Sequence, residues 1–177
     1  SACRFLSENH GSKTMNNNPE QIRRILCLCL GNSDRSPVMA AVLTWMLQNA
    51  GIKDVIVHSA GVTDSAKSGE KAGIFGIRAA KLIGLDISGH KRQHVSTLPA
   101  ALPAGEDYDL YVCVDDIVAG KLMGEFTHPE SLASKMYNAH IINPWPVQFD
   151  ADYEPIMKSI IAQMFVVVTR YFPLDRR

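Results

Sequence analysis

The sequence predicts an α/β fold: a single domain on a four-stranded parallel sheet, with helices on both faces. Three observations carry that prediction. Short apolar runs alternate with longer stretches of helical spacing along the chain, the pattern of parallel strands joined by right-handed helical crossovers. The runs are apolar at successive positions rather than at every second one, as in Arg24-Ile-Leu-Cys-Leu-Cys29, which suits strands covered on both faces. The length of 177 residues, 46% hydrophobic and 20% charged, suits one core of ordinary size.

The elements follow in order. Arg24–Cys29 is the first strand, ended by Gly31-Asn32. After Pro37, a good first-turn residue, Val38–Ala50 places Met39, Val42, Leu43, Trp45, Met46 and Leu47 at helical spacing and stops before Gly51. Asp54–Gly61 reads as the second strand and Lys71–Ile83 as the second helix, closed by Gly84, with a Ser/Gly/Lys-rich loop between them. Leu98–Gly105, rich in Pro and Ala, reads as a long surface loop. Tyr108–Asp115 is a third buried strand, followed by a short helix to about Met123. Ala139–Ile142 is expected to be the fourth strand, and Asp152–Phe172 the last helix, with Pro155 in its first turn, where a missing N–H costs little.

Residues 1–20 are polar and rich in Asn and Ser, and read as a flexible tail ahead of a domain over 21–177. They carry no apolar stretch of signal-peptide length. The apolar stretch Ile160–Val168 is far below the roughly 20 residues that span a bilayer and reads as a buried helix face. A formal net charge of zero argues against nucleic acid or a membrane surface as a partner. Four cysteines, at 3, 27, 29 and 113, are too few for a stapled secreted scaffold, so a cytoplasmic location is expected.

In a parallel sheet the ligand site lies at the carboxyl ends of the strands. Here the first strand runs straight into Cys29-Leu-Gly-Asn-Ser-Asp-Arg-Ser36 and a helix. Gly31 and Asn32 tolerate unusual backbone angles, so the amides of Leu30, Gly31, Asn32, Ser33, Asp34, Arg35 and Ser36 can point into one phosphate-binding cup at the positive end of that helix. Arg35 can lay a guanidinium fork across two phosphate oxygens. The same positive surroundings, with the Ser36 hydroxyl, favour thiolate over thiol at Cys29. Nucleophile and oxyanion receptor are then one structure, suited to phosphoryl transfer to sulfur and hydrolysis of the phosphocysteine by water. The bland alternative has Cys29 ending a buried strand and Arg35 in solvent.

Cys29-Leu-Gly-Asn-Ser-Asp-Arg-Ser-Pro37 resembles the phosphate loop of the low-molecular-weight protein tyrosine phosphatases. Further matches follow in order: Ser59-Ala-Gly61, Gly84-Leu-Asp-Ile-Ser-Gly-His90, the strand from Tyr108, and Asn143-Pro-Trp145. The resemblance covers roughly residues 22–172. It implies activity on a phosphotyrosine protein or a small aryl phosphate, with no metal and no organic cofactor.

The chain departs from that family at two chemical positions. Where the resemblance places the aspartate that protonates the leaving phenolate, the residue is Asn143, and an amide cannot donate that proton. General acid–base groups contribute about 10²–10⁴-fold in rate, so a slow enzyme is expected. Asp34 replaces a second loop cysteine that many members carry. It lies against the thiolate, where the two anions titrate as a unit and a retained proton makes it a possible relocated acid, or it points away and caps the helix that follows.

Asp150 and Asp152 read as caps of the last helix, with a substitute acid as the rival reading. Trp145 either stacks on the substrate ring or packs on the loop. No aromatic lies in Val62–Gly69, where the family keeps one. Lys91-Arg92 reads as a solvated charge pair, His58 and His90 as structural hydrogen-bonders, and Cys27 and Cys113 as core residues. Two other functions compete: a phosphate- or phosphoprotein-binding module without useful turnover, and thiol-coupled arsenate reduction. The latter needs relay cysteines, and none lies between Val62 and Val112.

Overall fold

The structure, a computed structural model, describes residues 22–101, 107–126, 129–143 and 149–173. Its elements are β1 (Arg24–Cys29), α1 (Arg35–Asn49), β2 (Ile56–Gly61), a 3₁₀ turn (Asp64–Ser68), α2 (Ile74–Leu82), a second 3₁₀ turn (Val95–Ala101), β3 (Leu110–Cys113), α3 (Asp116–Gly124), α4 (Pro129–Ala133), β4 (Met136–Asn138) and α5 (Asp150–Tyr171). The sheet order is β2-β1-β3-β4 and every pairing is parallel.

That order fixes where a ligand can sit. The connection from β1 moves to one side of the sheet, to β2, and the connection from β3 moves to the other, to β4. With right-handed crossovers the two connecting helices lie on opposite faces. A crevice therefore opens at the carboxyl ends of the neighbouring strands β1 and β3, the topological switch point.

β1 is central and its apolar run is justified by its surroundings: Ile25, Leu26, Cys27 and Leu28 are all completely buried. α1 and α5 pack against each other, and α2 packs on both. α5 buries Tyr153, Ile156, Met157, Ile160, Met164, Val167, Val168 and Tyr171, a stripe at spacings of three and four, while Phe165 and Val166 stay exposed. No helix among the described residues is long and apolar enough to cross a membrane.

Three expectations are corrected. The fourth strand lies at Met136–Asn138, not at Ala139–Ile142. Ala139 and Ile141 are buried and their N–H groups still reach Cys113 and Val114 at the end of β3. His140 between them adopts φ 49, which turns the chain out of the ladder. α1 starts at Arg35 rather than Val38, which places Arg35 and Ser36 on its first turn. α2 is shorter than expected at both ends, and Lys71 instead pairs with Lys91 in an isolated antiparallel bridge. Part of the expected surface loop is the 3₁₀ turn Val95–Ala101, and residues 102–106 lie outside the described residues, as does the expected tail over 1–20.

Candidate active site

β1 delivers Cys29 to the switch point, 4% exposed. The loop that follows is shaped by its neighbours. The Leu30 carbonyl accepts from the Val62 N–H at 2.9 Å, the Thr63 N–H at 3.1 Å and the Thr63 hydroxyl at 2.9 Å. Pulling that oxygen outward leaves amides to face inward. Gly61 permits the approach, because a Cβ there would stand 2.6 Å from the Leu30 oxygen and 2.9 Å from the Asn32 nitrogen. Among the described residues, the N–H groups of Gly31, Ser33, Asp34 and Arg35 have no backbone acceptor. Oriented amides without partners, at the start of a helix, make an anion cup.

Asn32 is the keystone. It is completely buried and adopts φ 53, which asparagine tolerates better than most residues. Its N–H donates to Cys29 Sγ at 3.2 Å. Its amide donates from Nδ2 to Ser36 Oγ and to Ser59 Oγ, both at 3.0 Å. Its Oδ1 accepts from the Gln93 N–H at 2.9 Å and from His90 Nε2 at 3.0 Å. All four hydrogen-bonding positions of the side chain are thus used. Both Asn32 oxygens near His90 Nε2 are acceptors, so that nitrogen carries the proton. Burial holds the imidazole below its usual range, against the opposing pull of the Asn32 carbonyl, and favours the neutral ring.

Ser36 contributes a single hydroxyl proton and faces two acceptors, Ala60 O at 3.2 Å and Cys29 Sγ at 3.0 Å. With a thiol at Cys29, the S–H donates to Ser36 Oγ and the hydroxyl turns to Ala60. With a thiolate, the hydroxyl must turn to sulfur. The nucleophile's charge is therefore matched by rotation of one O–H.

Arg35, 4% exposed, is held on one edge only. Its Nη1 donates to Asp115 Oδ2 at 3.2 Å and to the Ile141 carbonyl at 3.1 Å. The Nε and Nη2 hydrogens have no hydrogen-bond partner among the described residues, and they form the planar edge that meets an oxyanion bidentately. Asp115 works twice, because its Oδ1 caps α3 by accepting from the Val118 N–H at 2.8 Å. Sequence reasoning missed Asp115, although its place at the end of a parallel strand was a usable signal. It also passed over Ser59 and Gln93 as holders of Asn32.

Asp34 occupies the N-cap position of α1 and makes no side-chain cap bond there, which corrects one of its two expected roles. Its carboxylate reaches across to α2: Oδ1 accepts from the Gly76 N–H at 3.2 Å, and Oδ2 accepts from Ser33 Oγ at 2.5 Å. Gly73 makes room for this carboxylate, since a Cβ there would lie 2.2 Å from it and the Asp34 side chain would have to shift. α2 has no side-chain cap bond of its own, so Asp34 caps it from a distant part of the chain.

Asn143 is exposed and lies two residues beyond Ile141, whose carbonyl accepts from Arg35. Trp145 lies outside the described residues. Asp152 accepts from the Phe149 N–H at 2.9 Å at the start of α5, and Asp150 pairs with Arg78. Both belong to the helix entry, as expected.

Cys27 and Cys113 are not rival nucleophiles. Burial, then the charges of Cys113 and Cys29, push the Cys27 thiol far up, and burial with the Asp115 charge pushes Cys113 up to about 12. Among the described residues, no group of three or more His, Cys, Asp or Glu side chains is placed to hold a metal.

Comparisons with known proteins agree with this fold. The low molecular weight phosphotyrosine protein phosphatase 1 of Drosophila melanogaster is 44% identical over 41 residues, which are 23% of this chain and 26% of that protein. Wzb of Vibrio vulnificus, solved in complex with benzylphosphonate, superposes with a TM-score of 0.68 at 22% identity, over 84% of this chain and 99% of that one. A YwlE arginine phosphatase, solved as a Cys-to-Ser variant with a phosphorylated active-site serine, gives a TM-score of 0.71 at 15% identity, over 86% and 98%. Residues 24–142 match the family described as low molecular weight phosphotyrosine protein phosphatase, and the chain belongs to that family.

Proposed function

We propose that this protein is a phosphatase of phosphotyrosine or other aryl phosphate esters, working through a phosphocysteine at Cys29 and slowed by Asn143. One observation carries the reading: the loop that runs from the Cys29 sulfur into α1 holds both a set of amides without backbone acceptors and an Arg35 whose Nε/Nη2 edge has no partner among the described residues. A phosphoryl group entering the cup has its oxygens held by those donors. The Cys29 thiolate attacks phosphorus, the P–S bond forms and the P–O bond to the aryl group breaks. The charge is met by donors already in place, which is where such sites gain most of their rate. Water then attacks phosphorus, the P–S bond breaks, and inorganic phosphate and the thiolate are released.

The relatives support both halves of this reading. Wzb of Vibrio vulnificus holds benzylphosphonate, an aromatic phosphorus oxyanion, and the YwlE variant carries phosphate on its active-site serine. What this chain lacks is proton delivery. No carboxylic acid stands at position 143, so the departing aryl oxide leaves as an anion or takes its proton from solvent. Esters of acidic phenols are least affected. A thiol nucleophile needs a reducing compartment, and we place the protein in the cytoplasm on that ground.

Replacing Cys29 by Ser tests the assignment. Turnover of an activated aryl phosphate should disappear while vanadate or phosphate still binds, and wild-type enzyme quenched during turnover should carry phosphate on Cys29. Unchanged turnover in Cys29→Ser refutes the mechanism. The amide at Asn143 favours a second reading, a phosphate- or phosphoprotein-binding module. Tight oxyanion binding with no turnover of any aryl ester, even an activated one, selects it.

A further inference from the structure

Tyr153 holds a group that the reading above does not use. It is the fourth residue of α5 and 1% exposed. Its hydroxyl oxygen is the buried side-chain polar atom without a hydrogen-bond partner among the described residues. The polar side chains of the cup are by contrast well partnered: Asn32 uses all its positions, and Ser36, Ser59 and Arg35 each have acceptors or donors. A phenol rather than a phenyl ring at this place is a cost to the resting protein, so it needs an explanation.

Its surroundings supply one. Burial first, and then the charges of Asp34 and Cys29, push the phenol above its usual range, with Arg35 opposing. Tyr153 therefore keeps its proton and has it to donate. Asp34 has capacity to receive it: a carboxylate offers about four acceptor positions, and Ser33 and Gly76 use two. The other charged groups nearby are committed elsewhere. Arg78 of α2 pairs with Asp150, Asp152 accepts from the Phe149 N–H, and Glu154 pairs with Lys158.

Asp150 in the first turn of α5 pairs with Arg78 of α2, the helix that Asp34 caps, so a donor with no acceptor and an acceptor with room to spare stand on elements that pack together, and the acceptor belongs to the loop that follows Cys29. We propose that Tyr153 is a positioning residue: its hydroxyl donates to the Asp34 carboxylate as the loop takes on negative charge, shielding the Cys29 thiolate and phosphoryl group from Asp34. An interaction absent at rest and made when charge appears favours the charged state selectively, which is how binding energy accelerates a reaction. It also explains how an aspartate is tolerated in the loop that follows Cys29.

This rests on Cys29 as the nucleophile, so the test reads thiolate charge directly and does not require turnover. The rate of Cys29 alkylation by iodoacetamide is measured across pH in wild type, Tyr153→Phe, Asp34→Asn and the double variant, with melting temperatures alongside. Tyr153→Phe should slow alkylation at neutral pH by about threefold to tenfold, move the profile to higher pH and leave the melting temperature equal or higher. Asp34→Asn should speed alkylation, and in that background Tyr153→Phe should change it by less than about twofold. An unchanged profile in Tyr153→Phe overturns the proposal, as does equal slowing in both backgrounds, which would free the hydroxyl from Asp34. If Tyr153→Phe does not fold, Asp34→Asn decides alone: alkylation slower than wild type means that the carboxylate does not oppose the thiolate. A wild type that binds no vanadate and hydrolyses no ester would defeat the proposed phosphatase, while the alkylation comparison would still judge Tyr153.

Discussion

Replacing Asn32 by Ala separates what holds the cup from what the cup does. The substitution deletes four side-chain hydrogen bonds from a completely buried position. Two partners keep alternatives: Ser36 Oγ still reaches the Ala60 carbonyl at 3.2 Å, and His90 Nε2 still reaches the Asn32 backbone oxygen at 3.3 Å. Those two losses cost about 0.5–1 kcal/mol each. The Gln93 N–H loses its acceptor, which costs about 1–3 kcal/mol, and Ser59 Oγ loses its donor, which costs about 0.5–1.5 kcal/mol. Alanine at φ 53 adds about 1 kcal/mol of left-handed strain. The sum is about 5 kcal/mol, large against a typical stability of about 5–15 kcal/mol. Asn32→Gly loses the same bonds without the strain and should be about 1 kcal/mol milder. Urea unfolding followed by circular dichroism measures both, and vanadate titration should show affinity reduced by at least about tenfold in each. If Asn32→Ala lies within 1 kcal/mol of wild type, or Asn32→Gly is the worse of the two, the network described here does not hold the loop.

Other expectations follow from the same geometry. Asn143→Asp should raise turnover of poor-leaving-group aryl phosphates by about 10²-fold and barely change activated ones, as measured by rate against phenol acidity; a uniform gain means that proton donation was not the limitation. Alkylation of the folded protein near neutral pH should modify Cys29 and spare Cys27 and Cys113, whose thiols burial pushes far up; peptide mapping that finds Cys113 labelled first contradicts their burial. His90 gives a pH signature. Its folded-state value lies below the ordinary 6.5, so below that pH the unfolded chain binds more protons than the native one. The His90 contribution is thus fully present above about pH 6.5 and lost as pH falls through the lower folded value. Wild type should lose more stability than His90→Gln on acidification across that window, and parallel curves exclude the effect.

The loop after β1 was legible in the sequence because it is local. Cys29, the Gly31-Asn32 turn, Arg35 and the Ser36-Pro37 helix entry are contiguous, and the backbone of such a stretch is largely set by its own residues. Even there the helix was placed late, since Arg35 and Ser36 carry no apolar signal although they form its first turn. The fourth strand was misplaced because burial and pairing diverge. Met136, Tyr137 and Asn138 are half-buried at the sheet's edge, while Ala139 and Ile141, the strongly buried pair, lie beyond the ladder. α4 was not foreseen, since five residues do not establish a helical period. The destination of the Asp34 carboxylate was out of reach, because Gly73 and Gly76 are far along the chain and no local pattern joins them to it. Tyr153 gave no signal at all, its hydroxyl being invisible in a stripe that reads as core.

On the proposed reading, the same distinction between local and distant parts explains how a chain can keep the cup and lose the acid. The residues that shape the proposed cup are also structural. Asn32 joins the loop to Ser59, His90 and Gln93; Arg35 ties α1 to Asp115 and to the segment after β4; Asp34 caps α2. A change at any of them is felt first as stability, and selection for a folded protein preserves them whether or not the protein turns over. Position 143 is different, since it is exposed and lies beyond the last strand. An Asp-to-Asn exchange there alters one titratable group at an exposed position, so it should change stability by no more than surface substitutions usually do, within about ±0.5 kcal/mol. A rate gain in Asn143→Asp with an unchanged melting temperature would establish that proton delivery is separable from the fold. A large stability change would mean instead that residue 143 is part of the framework, and that its amide is retained for holding the loop rather than tolerated at the cost of rate.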